Sequence, residues 1–158
     1  MLIHTPAAKL PLILLAENDV NDVIIMRRAL QKASLANPLF VARDGQVALD
    51  YISGEGPYAD RRSFPAPSLL LLDLKMPRVD GLDVLAWLHA HPEHNGFPIV
   101  VLSSSDHEEE VCKAKALGAL DYRVKPWGVE GLVVMLLDLH GRWLNGSHEP
   151  VPHHSGTS

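Results

Sequence analysis

Ser68-Leu69-Leu70-Leu71-Leu72-Asp73 is the stretch that decides the fold. A strand with one wet face alternates apolar and polar residues, because successive side chains point to opposite sides of the sheet. Four leucines in a row leave neither side polar. The strand is therefore read as covered on both faces, the setting of a parallel sheet between two helical layers. It ends on an acid, Asp73.

Working outward, Leu12 to Leu15 is a shorter apolar run, read as the first strand and ending in Glu17-Asn18-Asp19. Val23, Met26 and Leu30 then recur at helical spacing. Leu39 to Ala42 reads as a second strand and Gly45 to Ser53 as a second helix. The Gly- and Pro-rich segment Gly54 to Pro67 reads as an exposed loop before the leucine strand.

Beyond Asp73, Leu82 to His91 is a third helix and Pro98 to Leu102 a fourth strand. Ser105 with Glu108 predicts a capping box, and Glu108, Glu109 and Glu110 fall in a first turn where the helix dipole favours negative charge. Gly118 closes that helix, Leu120 to Val124 is a fifth strand, and Val129 to Leu144 a last helix. Strict alternation of five strands and five helices predicts an α/β fold with a doubly wound parallel sheet. In such sheets the working site lies outside the carboxyl ends of the strands.

The chain has 158 residues, 47% hydrophobic and 21% charged, which suits one soluble domain over residues 10–144. Residues 1–9 are read as an N-terminal extension and 145–158 as a disordered polar tail. A net charge of −5 argues against nucleic acid as the direct partner. No run approaches the ~20 apolar residues of a membrane span, and the single cysteine, Cys112, fits a reducing cytoplasm. His89, His91 and His94 straddle a helix end at Pro92 with no ligand spacing for zinc, and are read as solvated.

The strand ends carry Glu17, Asn18 and Asp19 after the first strand, Asp73 after the third, Ser103 after the fourth and Lys125 after the fifth. Carboxylate and amide oxygens from two adjacent central strands make a hard-ligand site suited to Mg²⁺, which takes oxygen ligands at about 2.1 Å and keeps several waters. A lysine opposite pairs with Asp73.

With these residues in place, the sequence resembles the response regulator receiver family from Leu12 to Leu144. The resemblance rests on LLAEND, LLLLDLKMPRVDG, VVLSSSD and DYRVKPW in combination. The long loop SGEGPYADRRSFPAPS is similar to that of stand-alone receivers which partner phytochrome-type histidine kinases. The resemblance implies a flavodoxin-like sheet of strand order 2-1-3-4-5. It implies a phosphorelay role in which Asp73 takes a phosphoryl group from the phosphohistidine of a sensor kinase. Glu17, Asn18, Asp73 and the backbone carbonyl of Lys75 would hold the magnesium. Lys125 would sense the phosphoryl group, followed by a cis Pro126, and Ser103 and Tyr122 would form a switch pair. Pro77 and the turn Asp80-Gly81 would shape the loop under the site. Such a phosphoacceptor is a signalling protein rather than an enzyme.

One position departs from the family pattern. The family has two adjacent acids after the first strand, whereas here the second is Asn18, with an acid displaced to Asp19. Either metal affinity is lowered or Asp19 swings in. A pseudo-receiver that binds partners without phosphorylation is the alternative reading. A magnesium-dependent phosphohydrolase is a remoter one, because Leu74 and Lys75 follow Asp73 where a second acid would be needed. In the last helix, Val129, Leu132, Val133, Leu136 and Leu137 are read as covering the sheet, and Val134, Met135 and Leu139 as apolar surface in excess. That excess predicts a homodimer through the face of helix four, strand five and helix five.

Overall fold

The computed structural model describes residues 10–145; the extension over 1–9 and the tail over 146–158, with His148, His153 and His154, lie outside the described residues. Strands β1 (Ile13–Ala16), β2 (Leu39–Ala42), β3 (Leu69–Asp73), β4 (Ile99–Ser103) and β5 (Asp121–Val124) alternate with helices α1 (Val20–Lys32), α2 (Gly45–Ser53), α3 (Gly81–Ala90), α4 (Glu108–Ala116) and α5 (Gly128–Leu139). All neighbours pair in parallel, in the order β2-β1-β3-β4-β5. The predicted order is the observed one.

The period of two along the central strands builds two cores. Leu14, Ala16, Leu70, Leu72, Ile99 and Val101 face α2, α3 and α4. Ile13, Leu15, Leu69, Leu71, Val100 and Leu102 face α1 and α5. Every residue of β1, β3 and β4 is buried, so the leucine run is satisfied on both sides. Parallel pairing in one register brings Ala16, Asp73, Ser103 and Val124 to the same rim of the sheet.

Four local readings are corrected. The Ser105–Glu108 capping box does not form: α4 starts at Glu108, and its cap, His107, makes no side-chain bond. Ser105 instead accepts the His107 amide on its Oγ and the Tyr122 hydroxyl on its carbonyl, so tertiary contact holds it outside the helix. In α5 the buried stripe is Leu132, Met135, Leu136 and Leu139, with Val129 and Val133 partly buried against the same core; Met135 and Leu139, read as surplus surface, are core, and Leu137 points outward at 49% exposure. The last expected helical turns, His140 to Leu144, are π-helical. The peptide bond before Pro126 is trans rather than cis, the isomer favoured by about 0.5–1 kcal/mol in the absence of a tertiary constraint.

The loop from Gly54 to Pro67 is packed rather than merely exposed. Gly54 ends α2 in the left-handed region at φ 70°. Tyr51, fully buried, joins Phe40, Tyr58 and Phe64 in one aromatic cluster and donates its hydroxyl to the Pro65 carbonyl at 2.8 Å. Arg61 reaches back to cap α2, donating to the carbonyls of Tyr51 (2.8 Å), Ile52 (2.6 Å) and Phe64 (3.2 Å). Removing this fork takes a donor from three carbonyls at once, of which Tyr51 keeps the Gly54 amide at 3.2 Å. Arg61→Ala is expected to cost about 2–3 kcal/mol in denaturant titration, with Arg61→Lys recovering only part because an ammonium has no planar fork. A midpoint unchanged in Arg61→Ala would refute the cap.

Candidate functional site: an acidic pocket closed by one lysine

Each site residue is placed by the strand or helix end that carries it. Asp73 is the last residue of β3, 8% exposed, and its Oδ1 accepts the Lys75 amide at 3.1 Å, which fixes the carboxylate plane. Glu17 follows β1, is 3% exposed, and accepts the Asn18 amide on Oε2 at 2.9 Å. Lys125 follows β5, its amide bonded to the Ser103 carbonyl at 2.8 Å. Its ammonium spans the pocket and donates to Glu17 Oε1 at 2.7 Å, Asp22 Oδ2 at 2.9 Å and Asp73 Oδ2 at 3.2 Å.

The structure therefore brings Glu17, Asp73 and Lys125 together, with Asn18 and Lys75 on the wall of the same cleft of about 590 Å³. Ser103 sits apart. It is fully buried, its Oγ accepts the Ser105 amide at 3.1 Å, and Ser104 lines the cleft in its stead. Tyr122 is half-buried, with its hydroxyl on the Ser105 carbonyl at 2.7 Å, and so holds the loop between β4 and α4. Burial, with Glu110 and Asp106 nearby, pushes its phenol above the ordinary value. Asp19 lines the cleft but makes no bond to Lys125. It caps α1, accepting the Asn21 amide at 2.8 Å and the Asp22 amide at 3.4 Å. Asp22 is the site residue that sequence reasoning missed.

Below the site the loop from Leu74 to Asp80 is pinned from two sides. Gly81 donates its amide to the Leu74 carbonyl at 3.0 Å. Gly45, at the start of α2, donates to Val79 at 3.0 Å, while buried Asp44 caps α2 and pairs with Arg78, itself in the left-handed region at φ 64°. The loop that carries Lys75 is thus fastened to α2 and α3.

Charge in the pocket is unevenly held. Burial first, then a hydrogen bond and repulsion from Asp73, push the Glu17 carboxyl up to about 8, against the pull of Lys125. Burial lowers the Lys125 ammonium, but its carboxylate partners outweigh that and raise it above the ordinary lysine value. Burial raises Asp22, yet its bonds to Lys125 and Glu17 win and hold it below the usual carboxylate range.

A raised Glu17 means that the folded protein keeps a proton which the unfolded chain gives up near its ordinary value of 4.5. This contribution to stability is complete below that value and is lost as pH rises through about 8. In chelator, melting temperature is expected to fall from pH 5 to pH 8.5, more steeply in wild type than in Glu17→Gln, as read by circular dichroism. Parallel profiles for the two proteins would contradict the assignment.

A divalent cation fits this donor set. Among the described residues no group of three His, Cys, Asp or Glu side chains is placed to cage a metal alone. The cleft is lined instead by the acids Glu17, Asp19, Asp22 and Asp73 with Asn18 and Lys75, open to water, which suits an ion that keeps part of its hydration shell.

Fold and site define a class, a phosphoacceptor on a doubly wound sheet, and comparison with known proteins agrees. The response regulator receiver domain matches residues 13–137, and the chain belongs to that family. It is 31% identical over 132 residues to "Response regulator Rcp1" of Synechocystis sp., covering 84% of this chain and 88% of that one. The Mn²⁺-bound structure of Rcp1 superposes with a TM-score of 0.76 at 30% identity, covering 89% of this chain and 99% of that one. A response regulator in red light signalling of R. palustris, RPA3017, gives a TM-score of 0.83 at 32% identity over 90% of this chain and 99% of its own. The phosphorylated cyanobacterial phytochrome response regulator RcpA gives 0.78 at 28% over the same shares. The protein is a receiver acting in a two-component phosphorelay, similar to regulators associated with phytochromes.

Proposed function

We propose that Asp73 is the phosphoacceptor, that the divalent ion is Mg²⁺, and that the donor is the phosphohistidine of a sensor histidine kinase of bacteriophytochrome type. The observation that carries this reading is Lys125 bridging Glu17 and Asp73 at the carboxyl end of the sheet. The relatives associated with phytochromes support the choice of donor. In the transfer, an Asp73 carboxylate oxygen bonds to phosphorus as the phosphorus–nitrogen bond to imidazole breaks, and the imidazole takes up a proton. Glu17, Asn18, Asp73 and the Lys75 carbonyl would hold the cation, which when bound offsets the charge of the phosphoryl oxygens.

The residues of the chain do the rest. The Lys75 amide orients Asp73, and Lys125 exchanges carboxylate for phosphoryl oxygen. Ser103 and Tyr122 then read the change, Tyr122 through its hold on Ser105. The product is an altered surface, so the receiver signals rather than turns over substrate. We place it in the cytoplasm, where sensor kinases present their phosphohistidine; among the described residues no helix is long and apolar enough to cross a membrane.

The reading extends to a homodimer through α4, β5 and α5. Val134 and Leu137 on α5 are 70% and 49% exposed, and Val124 at the end of β5 and Leu120 just before it are 48% and 40%. Arg123 ties the two elements by pairing with Asp121 and Asp138. Sedimentation equilibrium is expected to give twice the chain mass, and Val134→Glu with Leu137→Glu the single mass. For the central reaction, label on an autophosphorylated bacteriophytochrome kinase is expected to pass to the wild type and not to Asp73→Asn. Equal labelling of both would overturn the assignment. Asn18→Asp, which adds a charged ligand, is expected to tighten Mg²⁺ binding about tenfold by calorimetry.

A further inference from the structure

The acid that balances Asn18 sits one helical turn further on. Asn18 brings no charge to the pocket, and the displaced acid, Asp19, is committed as the cap of α1 through bonds to the Asn21 and Asp22 amides. Asp22, in the first turn of α1, instead sends its carboxylate across the mouth of the cleft to Lys125 at 2.9 Å. It does so beside Glu17 and Asp73, which hold the same ammonium at 2.7 and 3.2 Å.

We propose that Asp22 is a positioning residue for the phosphoryl site: by binding Lys125 from α1 it supplies the negative charge missing at Asn18 and keeps the ammonium beside Asp73. With Asp22 the pocket holds three carboxylates against one ammonium. Without it two would face that ammonium, leaving less negative charge to attract a dication. Asp22 acts through Lys125 and not as a ligand, in keeping with the absence, among the described residues, of any three-acid metal cage. It also leaves Lys125 one partner when Asp73 becomes modified and Glu17 turns to a hydrated cation. The lysine then pivots from a fixed point rather than leaving the pocket.

The inference rests on the receiver reading, and its test separates the two. Mg²⁺ is titrated by calorimetry into wild type, Asp22→Asn, Asn18→Asp and the double variant, with acetyl phosphate labelling of each. Asp22→Asn keeps the shape and its place in α1, and circular dichroism confirms its fold. Removing one charge a few ångströms from a dication is expected to weaken Mg²⁺ binding about tenfold or more. The double variant is expected to regain wild-type affinity, since the charge returns at residue 18. Unchanged affinity in Asp22→Asn, with wild type binding Mg²⁺ and becoming labelled, overturns the role of Asp22 alone. A wild type that neither binds Mg²⁺ nor becomes labelled overturns the receiver reading as well.

Discussion

Lys125→Met is expected to lose about 3 kcal/mol of stability at pH 8 in the absence of divalent ions, and most of that loss is expected to return on adding Mg²⁺. The ammonium is three-quarters buried and contacts carboxylates of Glu17, Asp22 and Asp73 within 3.2 Å. Taking away one partner of a buried charge group costs about 3–5 kcal/mol, because the remaining charges stay desolvated and unpaired. Proton uptake by Glu17, already pushed up to about 8, absorbs part of that at lower pH. The deficit should therefore grow from pH 6 to pH 8. A dication placed among the same acids replaces the lost charge, so magnesium should raise the melting temperature of the variant more than that of wild type. Equal responses would show that lysine and metal do not share these acids. Labelling by a small phosphodonor is expected to slow about tenfold to a hundredfold, since one charged donor to the phosphoryl oxygens is gone.

The second large effect comes from Gly81→Ala. A Cβ at Gly81 would stand 2.5 Å from the Asp73 carbonyl oxygen and 2.6 Å from Leu74 Cα. Both are backbone atoms, so no rotamer change relieves the overlap. The start of α3 must move away from the end of β3, or Asp73 must move with it. Overpacking of this kind costs about 1–3 kcal/mol. A shift of about 1 Å in a reacting group costs about a hundredfold in rate. Gly96→Ala is the control, because nothing lies within 4 Å of a Cβ there. Loss of both stability and labelling in Gly81→Ala, with Gly96→Ala as wild type, is the expected pattern. Normal labelling in Gly81→Ala would mean that the loop does not position Asp73.

Most of the fold was legible because its signals were local. The boundaries of β2 and α2 are those read from the sequence, α2 being closed by Asp44 at one end and left-handed Gly54 at the other. Strands β1, β3 and β4 moved by one residue toward their polar ends, since Ala16, Asp73 and Ser103 still pair in the ladder, and β5 lost only its first residue. What failed was decided by tertiary contact. Ser105 has the chemistry of a cap, but Tyr122 claims its carbonyl. Tyr58 and Phe64 looked like loop residues until Phe40 and Tyr51 gave them a core.

The site was legible as far as strand ends predict neighbours. Glu17, Asp73 and Lys125 follow from that rule. Asp22 does not, because in sequence an acid in a first helical turn is already explained by the dipole. Its only sequence signal was its place on the turn of α1 that follows Glu17. Ser103 shows the opposite case: right strand end, yet its hydroxyl is engaged with Ser105 and not with the cleft.

Phosphorylation of Asp73 is tested most directly by intact-mass spectrometry of wild type and Asp73→Asn after incubation with acetyl phosphate, with and without Mg²⁺. The expected result is the mass of one added phosphoryl group in wild type with Mg²⁺ alone, and none in Asp73→Asn. A gain in Asp73→Asn equal to wild type, or no gain in either protein with Mg²⁺ present, would contradict it.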